Sequence, residues 1–204
     1  MTDPATTHPL LHADVFTHVR IIIGMVLGLS LARLINGVMQ FVQHPELSRI
    51  YPVHLGWVIF LLISIIHFWW FEFYLSTLAV WHFAGYLFVI VYAMLFVALA
   101  ALLFPDRMNE YDGFQDYFEK RKRWFYGALA LCFLFDIADT LIKGPAYFAA
   151  LGPEYLIQRG VLIAAALAAM FIPGMRYQLL FVTAATIYEA SWIFRTYGVL
   201  GSQT

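Results

Sequence analysis

Charged side chains inside apolar runs are the residues of this chain with chemistry to offer. Arg33, Asp136, Asp139 and Glu189 each interrupt a stretch long and apolar enough to cross a bilayer. A charge there costs several kcal/mol unless it is paired, neutralised or wetted. Arg33 lies 13 residues after Arg20, and Asp136 lies 13 residues after Arg123. The two runs are expected to cross in opposite directions, so the spacing predicts that both side chains sit just past the midplane and pair. Asp139 follows Asp136 by three positions, on nearly the same helix face. Glu189, in YEASW, falls near the middle of the last run. One arginine and three acids at similar depth have two readings. They form a salt-bridge and hydrogen-bond cluster that fixes helix packing, or they line a proton or cation pathway. In the second, Arg33 sets the acids' affinity for protons, Asp136 is the fixed counter-ion, and Asp139 and Glu189 load and release.

The run HFWWFEF adds His67 near the middle of a second stretch and Glu72 toward its outer end, as outer members of the same pathway, and Asn36, three positions after Arg33, is a further candidate for it. Five residues apart, these two do not share a helix face, which disfavours a metal pair. His54 and His67 are 13 apart, but a bis-histidine haem needs facing histidines, and the last three runs contain none; His82, near a helix end, is the one further intramembrane candidate. No haem, metal or other cofactor is expected. Gly-x-Ser-x-Gly, His-Glu-x-x-His, a phosphate-cradling glycine loop and Cys-x-x-Cys are all absent. The single cysteine, Cys132, reads as a small buried residue. Ser64, Ser191 and Thr183 are expected to bond back to their own helices.

Gly24, Gly28 and Ala32, continued by Asn36, form a series of small residues at every fourth position. Such a face admits close helix–helix packing and offers an amide for an interhelical hydrogen bond, within the chain or in an oligomer.

The elements that must position these residues are membrane helices. The 204 residues are 62% hydrophobic and only 12% charged, with mean hydropathy +0.75, where soluble domains carry about 25% charged residues. A net charge of −1 provides no electrostatic footprint for nucleic acid. Six runs fit a span, at residues 19–42, 54–76, 81–104, 124–142, 155–172 and 176–198. They are separated by Pro and Gly breakers, with Trp57, Trp81, Trp124 and Trp192 expected as headgroup anchors. The link between the second and third runs carries no charge, so a re-entrant or tilted hairpin is an alternative there. The fold class expected is all-α, a single six-helix transmembrane bundle with short tails at 1–18 and 199–204. The tail at 1–18 lacks the basic region of a signal peptide.

Loops 43–53, 105–123 and 173–176 hold Arg49, Arg107, Lys120, Arg121, Lys122, Arg123 and Arg176. The opposite side holds Arg20, Lys143, Arg159 and Arg195, which places those loops in the cytoplasm and both termini outside. Lys120–Arg123 read as a topology signal or a lipid-headgroup contact. Tyr111, Phe114, Tyr117 and Phe118 suggest a short amphipathic helix on the inner interface. A shift of 103 residues lays Arg20 on Arg123, Gly24 on Gly127 and Arg33 on Asp136, a faint sign of a 3+3 inverted repeat. The function expected is a small ion- or proton-coupled channel or transporter of the inner membrane, as a single chain or an oligomer. The alternatives are a non-transporting subunit or sensor that packs against a partner, and, last, an intramembrane lipid-modifying enzyme. The bilayer is the expected partner, with a second copy or another membrane subunit.

Overall fold

The computed structural model describes residues 9–43, 50–78, 81–106 and 110–197. Among them the chain forms seven α-helices and no strand: α1 Pro9–Gln43, α2 Pro52–Phe71, α3 Phe83–Leu103, α4 Phe114–Ile142, α5 Pro145–Ala150, α6 Gly152–Ala169 and α7 Met175–Tyr197. Four helical stretches are long and apolar enough to cross a membrane: Phe16–Gln43, Pro52–Thr77, Phe83–Leu103 and Phe114–Ile142. Helices α6 and α7 are not among these four.

Local sequence sets the boundaries. Pro52 opens α2, where its missing N–H would have no partner in any case. At Glu72 the helix tightens into a 3₁₀ segment, Glu72–Thr77, in which the Ser76 and Thr77 hydroxyls donate to the carbonyls of Phe73 and Tyr74. Helices α4 and α5 are each preceded by a glycine at φ 107, Gly113 and Gly144. A side chain there would strain the backbone, so these two positions call for glycine.

Helix α1 lies along α3, α3 along α4, α4 along α6, and α2 chiefly along α7. Lipid tails are as apolar as leucine, so close packing, rather than escape from water, must hold such helices together. The packing is dominated by rings. At one end Phe41, Phe104, Phe114 and Phe118 surround His54, with His54–Phe114 ring centroids 4.8 Å apart and His54–Phe104 4.9 Å. The His54 Nε2 lies 2.8 Å from the Leu103 carbonyl. Outward surfaces are apolar: Met25, Leu29, Ile66, Trp124, Leu180 and Phe194 are exposed.

Several expectations change. Helix α4 starts at Phe114, so most of the expected cytoplasmic loop 105–123 is the first turns of α4. Its aromatics Phe114, Tyr117 and Phe118 are buried in protein rather than lying on an interface, and the Tyr117 hydroxyl donates to the Leu102 carbonyl at 2.9 Å. Helix α1 begins at Pro9, so the second half of the expected tail is helical; residues 1–8 and 198–204 lie outside the described residues. Trp57 is no headgroup anchor: it is fully buried and its indole donates to Tyr126 at 3.0 Å. Trp192 is buried too, whereas Trp124 is exposed. The helix neighbours do not follow the 103-residue shift, because α1 lies along α3 while α4 lies along α6, which takes the place of α2.

The small residues of α1 divide by face. A Cβ on Gly37 would run into the Phe104 ring, itself locked among aromatics, whereas one on Gly24 or Gly28 would meet nothing within 4 Å among the described residues. Gly37→Ala is therefore expected to destabilise by about 1–3 kcal/mol through overpacking. Gly28→Ala should be neutral or slightly stabilising, and thermal unfolding in detergent compares the two.

Candidate functional site

A buried polar network fills the half of the bundle opposite the His54 cluster. Helix α4 supplies its spine, because Asp136, Asp139 and Lys143 at spacings of three and four fall on one stripe. Helix α6 adds Tyr155 and Arg159, one turn apart. His67 comes from α2, Glu72 from the first position of the 3₁₀ segment, Tyr92 from α3 and Glu189 from α7. Asp136, Asp139, Lys143, Arg159, His67, Glu72 and Glu189 are all buried.

The network has two linked centres. In the first, Arg159 bridges two acids. Its Nε is 2.7 Å from Asp136 Oδ2 and its Nη1 3.7 Å from Glu189 Oε2. Tyr155 donates to Asp136 Oδ2 at 2.7 Å and Tyr92 to Asp136 Oδ1 at 3.2 Å. Thr140 returns its hydroxyl to the Asp136 carbonyl. Glu189 Oε1 meets His67 Nδ1 at 2.6 Å. The guanidinium also lies 5.7 Å from the Phe133 ring and 5.6 Å from that of Tyr155, within cation–π range.

One helical turn farther along α4, the Lys143 ammonium is shared by two carboxylates, Glu72 Oε1 at 2.9 Å and Asp139 Oδ2 at 2.5 Å. The Phe71 ring covers it from 3.5 Å. Placed this way, Lys143 closes the C-terminal end of α4, where a cation also complements the exposed carbonyls. Beyond it, near the bundle's rim, Arg195 and Tyr188 grip Glu154; the Arg195 Nη2–Glu154 Oε1 distance is 2.7 Å.

Beside the first centre is a cavity of about 30 Å³, lined on its polar side by Ser64, His67, Asp136, Arg159 and Glu189. That is room for a water molecule or two, with several polar groups to hold them. The Ser64 hydroxyl and Glu189 Oε2 have no hydrogen-bond partner, so Ser64 does not bond back to its helix as expected. Toward the opposite end the cavity is closed by an apolar layer that includes Phe60, Leu129 and Phe133. Past that layer lies a separate chain, in which Trp57 donates to the Tyr126 hydroxyl, Tyr126 to Gln178, and Gln178 to the Ala169 and Ile172 carbonyls.

Searches against protein-family models, curated proteins and solved structures return no match for this chain. The chemistry must therefore be read from the geometry alone.

The structure brings Asp136, Asp139, Glu189, His67 and Glu72 together and leaves Arg33 out. Arg33 is half-buried at the far end, bound to Asp106 Oδ1 at 2.7 Å and to the Phe104 carbonyl at 3.0 Å. The expected Arg33–Asp136 pair does not form. Asp136 meets α3 at Tyr92 and Arg33 meets it at Phe104, twelve residues on, or about 18 Å along a helix. Counting from Arg20 misjudged depth because α1 is helical well before that arginine. Asn36, Gly28 and Ala32 are exposed on the outer face of α1, with Gly24 half-buried beside them. Of the basic run, Lys120 pairs with Asp116 and Lys122 with Glu119, both at 2.8 Å. Arg121 donates to the Tyr111 hydroxyl, and Arg123 stacks 5.5 Å from Phe171.

Lys143 and Arg159, counted in the sequence as topology charges, are the cations of the site. The Asp139–Lys143 spacing of four was a legible signal, since such pairs are neighbours on a helix; Arg159 also stands inside the run 155–172. Tyr92 and Tyr155 had no signal among so many aromatics. Among the described residues, no group of three or more His, Cys, Asp or Glu side chains is placed to hold a metal ion.

Removing Arg159 strands two buried carboxylates. Arg159→Met is expected to destabilise by about 3–5 kcal/mol, or to abolish folded expression. Asp136→Asn, which leaves Arg159 with Glu189, should cost clearly less. Thermal melting of the two detergent-purified variants checks the order.

Proposed function

We propose that this chain is a proton-coupled transporter of the inner membrane, spanning it six times through α1, α2, α3, α4, α6 and α7. One observation carries the reading, the charge balance of the buried network. Four carboxylates, Glu72, Asp136, Asp139 and Glu189, face two strong cations, Lys143 and Arg159, leaving two negative charges and one imidazole, His67. In a low-dielectric interior such an excess is very costly. Neutrality calls for two bound protons, one of which His67 is placed to take beside Glu189. A group of acids whose charge is balanced by protons is the minimal equipment for proton coupling.

The apolar layer favours a transporter over an open pore. Tyr126 and Asp136 are ten residues apart on α4, about 15 Å, and rings fill the space between their polar groups. Passage would need the helices to shift and expose the network to one side at a time, as in alternating access.

The six-span count draws support from α6 and α7. Their charged residues Arg159 and Glu189 point inward, while Ile157, Val161, Leu180, Ile187 and Phe194 face out. Orientation draws support from the same pairs. Lys143 and Arg159 balance buried acids, so they drop out of the loop count. The basic excess at Lys120–Arg123 and Arg176 then weighs more strongly for a cytoplasmic end there, with both termini outside.

The test is proton uptake by purified protein in liposomes under a potassium diffusion potential, wild type against Glu189→Gln. Wild type is expected to pass protons and the variant to lose at least tenfold while keeping its helical circular dichroism. No uptake by well-folded wild type, with or without candidate co-substrates, overturns the transport reading.

A second reading, a subunit or sensor bound to another membrane protein, is favoured by α1. Gly28, Ala32 and Asn36 face outward with Gly24 beside them, and among the described residues nothing lies within 4 Å of a Cβ placed on Gly24 or Gly28. This reading expects Gly28→Leu to leave melting unchanged and to strip a co-purifying membrane protein; proton uptake would be absent before and after.

A further inference from the structure

The network's two centres do not share their excess charge equally. In the first, Arg159 and His67 stand against Asp136 and Glu189, and protonation of His67 makes that group neutral with every carboxylate ionised. In the second, Lys143 alone stands against Glu72 and Asp139, and among the described residues no imidazole pairs with them. There the surplus negative charge must be met on the carboxyls themselves.

Geometry shows where. Each carboxylate gives one oxygen to the Lys143 ammonium. The other two, Glu72 Oε2 and Asp139 Oδ1, are sealed from solvent and have no donor among the described residues, while the shared ammonium holds the two carboxyl groups side by side. Two bare carboxylates held together by one ammonium in a dry interior repel. With one proton between them they form a carboxylic acid–carboxylate hydrogen bond, short and charge-assisted, and the trio becomes neutral. A metal cation fits poorly, because it would find only two free oxygens beside a positive ammonium.

We propose that Glu72 and Asp139 are a one-proton site, holding a single shared proton above Lys143. This is the loading position of the network. The surroundings keep the proton local from every side. Asp136 is one turn back on α4, with Arg159 and Tyr155 of α6 and Tyr92 of α3 upon it. His67 of α2 and Glu189 of α7 lie beyond Arg159. Tyr147 of α5 is 6.0 Å from the ammonium, and Arg20 of α1 stacks 4.1 Å over Phe73 of the 3₁₀ segment. Of these, Lys143 alone reaches both acids with a positive charge. The 3₁₀ segment bearing Glu72 is also the least regular stretch around the network. A small change there would separate the two carboxyls and release the proton, while the Arg159 centre stayed intact.

The site rests on the proton-coupled reading for its role, but its occupancy is measured without flux. Infrared spectroscopy of the reconstituted full chain at neutral pH should show the carbonyl stretch of one protonated carboxylic acid, shifting in D₂O. The band should vanish in both Glu72→Gln and Asp139→Asn, each of which leaves a balanced pair with Lys143, and persist in Glu189→Gln. The single variants should melt close to wild type, whereas Glu72→Gln combined with Asp139→Asn strands Lys143 and should lose the cooperative transition. If a single variant does not fold, wild type labelled with ¹³C-carboxyl aspartate or glutamate gives the same assignment. Absence of the band from folded wild type, its survival in either single variant, or its insensitivity to both labels overturns the site. A band in protein that passes no protons upholds the site and removes the transport reading; flux without the band does the reverse.

Discussion

The Arg159 guanidinium is the constraint on which the rest of this bundle turns. It is carried by α6, reaches Asp136 of α4 and Glu189 of α7, and through Glu189 engages His67 of α2. A single buried cation thus sets the mutual rotation of four helices. Between apolar helices in lipid the packing energy changes little with small rotations, so a charge that tolerates only one arrangement becomes the main source of orientation. The tyrosines complete it: Tyr155 donates to Asp136 Oδ2 and Tyr92 to Oδ1, so that both oxygens of the acid are engaged.

The bundle is built differently at its two ends. Around His54 the chain relies on rings, with Phe41, Phe104 and Phe114 meeting edge to face or tilted. The charges there are confined to a rim with Arg33–Asp106 and Lys122–Glu119. Around Arg159 and Lys143 it relies on ionic and hydrogen-bonded contacts, with rings serving as covers over the cations.

Charged residues were the informative ones in the sequence, and their types were legible. Asp136, Asp139, Glu189, His67 and Glu72 stand out because acids and histidine in apolar helices demand partners, and the structure buries all five together. Their partners were misread. Arg33 looked central because it follows Arg20 through an apolar run, but α1 extends to Pro9 and carries Arg33 to the far end, against Phe104 and Asp106. Lys143 and Arg159 looked like boundary charges because each sits next to Gly-Pro breakers or at the start of a run. Likewise Trp57 has the position of an interface anchor, yet its N–H finds Tyr126 in the interior.

Composition and the spacing of breakers thus determine by themselves an all-helical, lipid-compatible chain and single out the buried acids; six runs are read from them, of which the structure forms four as long apolar helices. Only the tertiary structure decides which cation each acid meets, that Gly37 packs against a ring while Gly24 and Gly28 face outward, and that the acids outnumber their cations in one closed network. The physical reason lies in what hydropathy encodes. It specifies that a segment is helical and apolar, and with almost uniformly apolar faces it leaves depth and rotation open. Those two coordinates are set by long side chains such as Arg159 and Lys143 finding their counter-charges on helices distant in sequence.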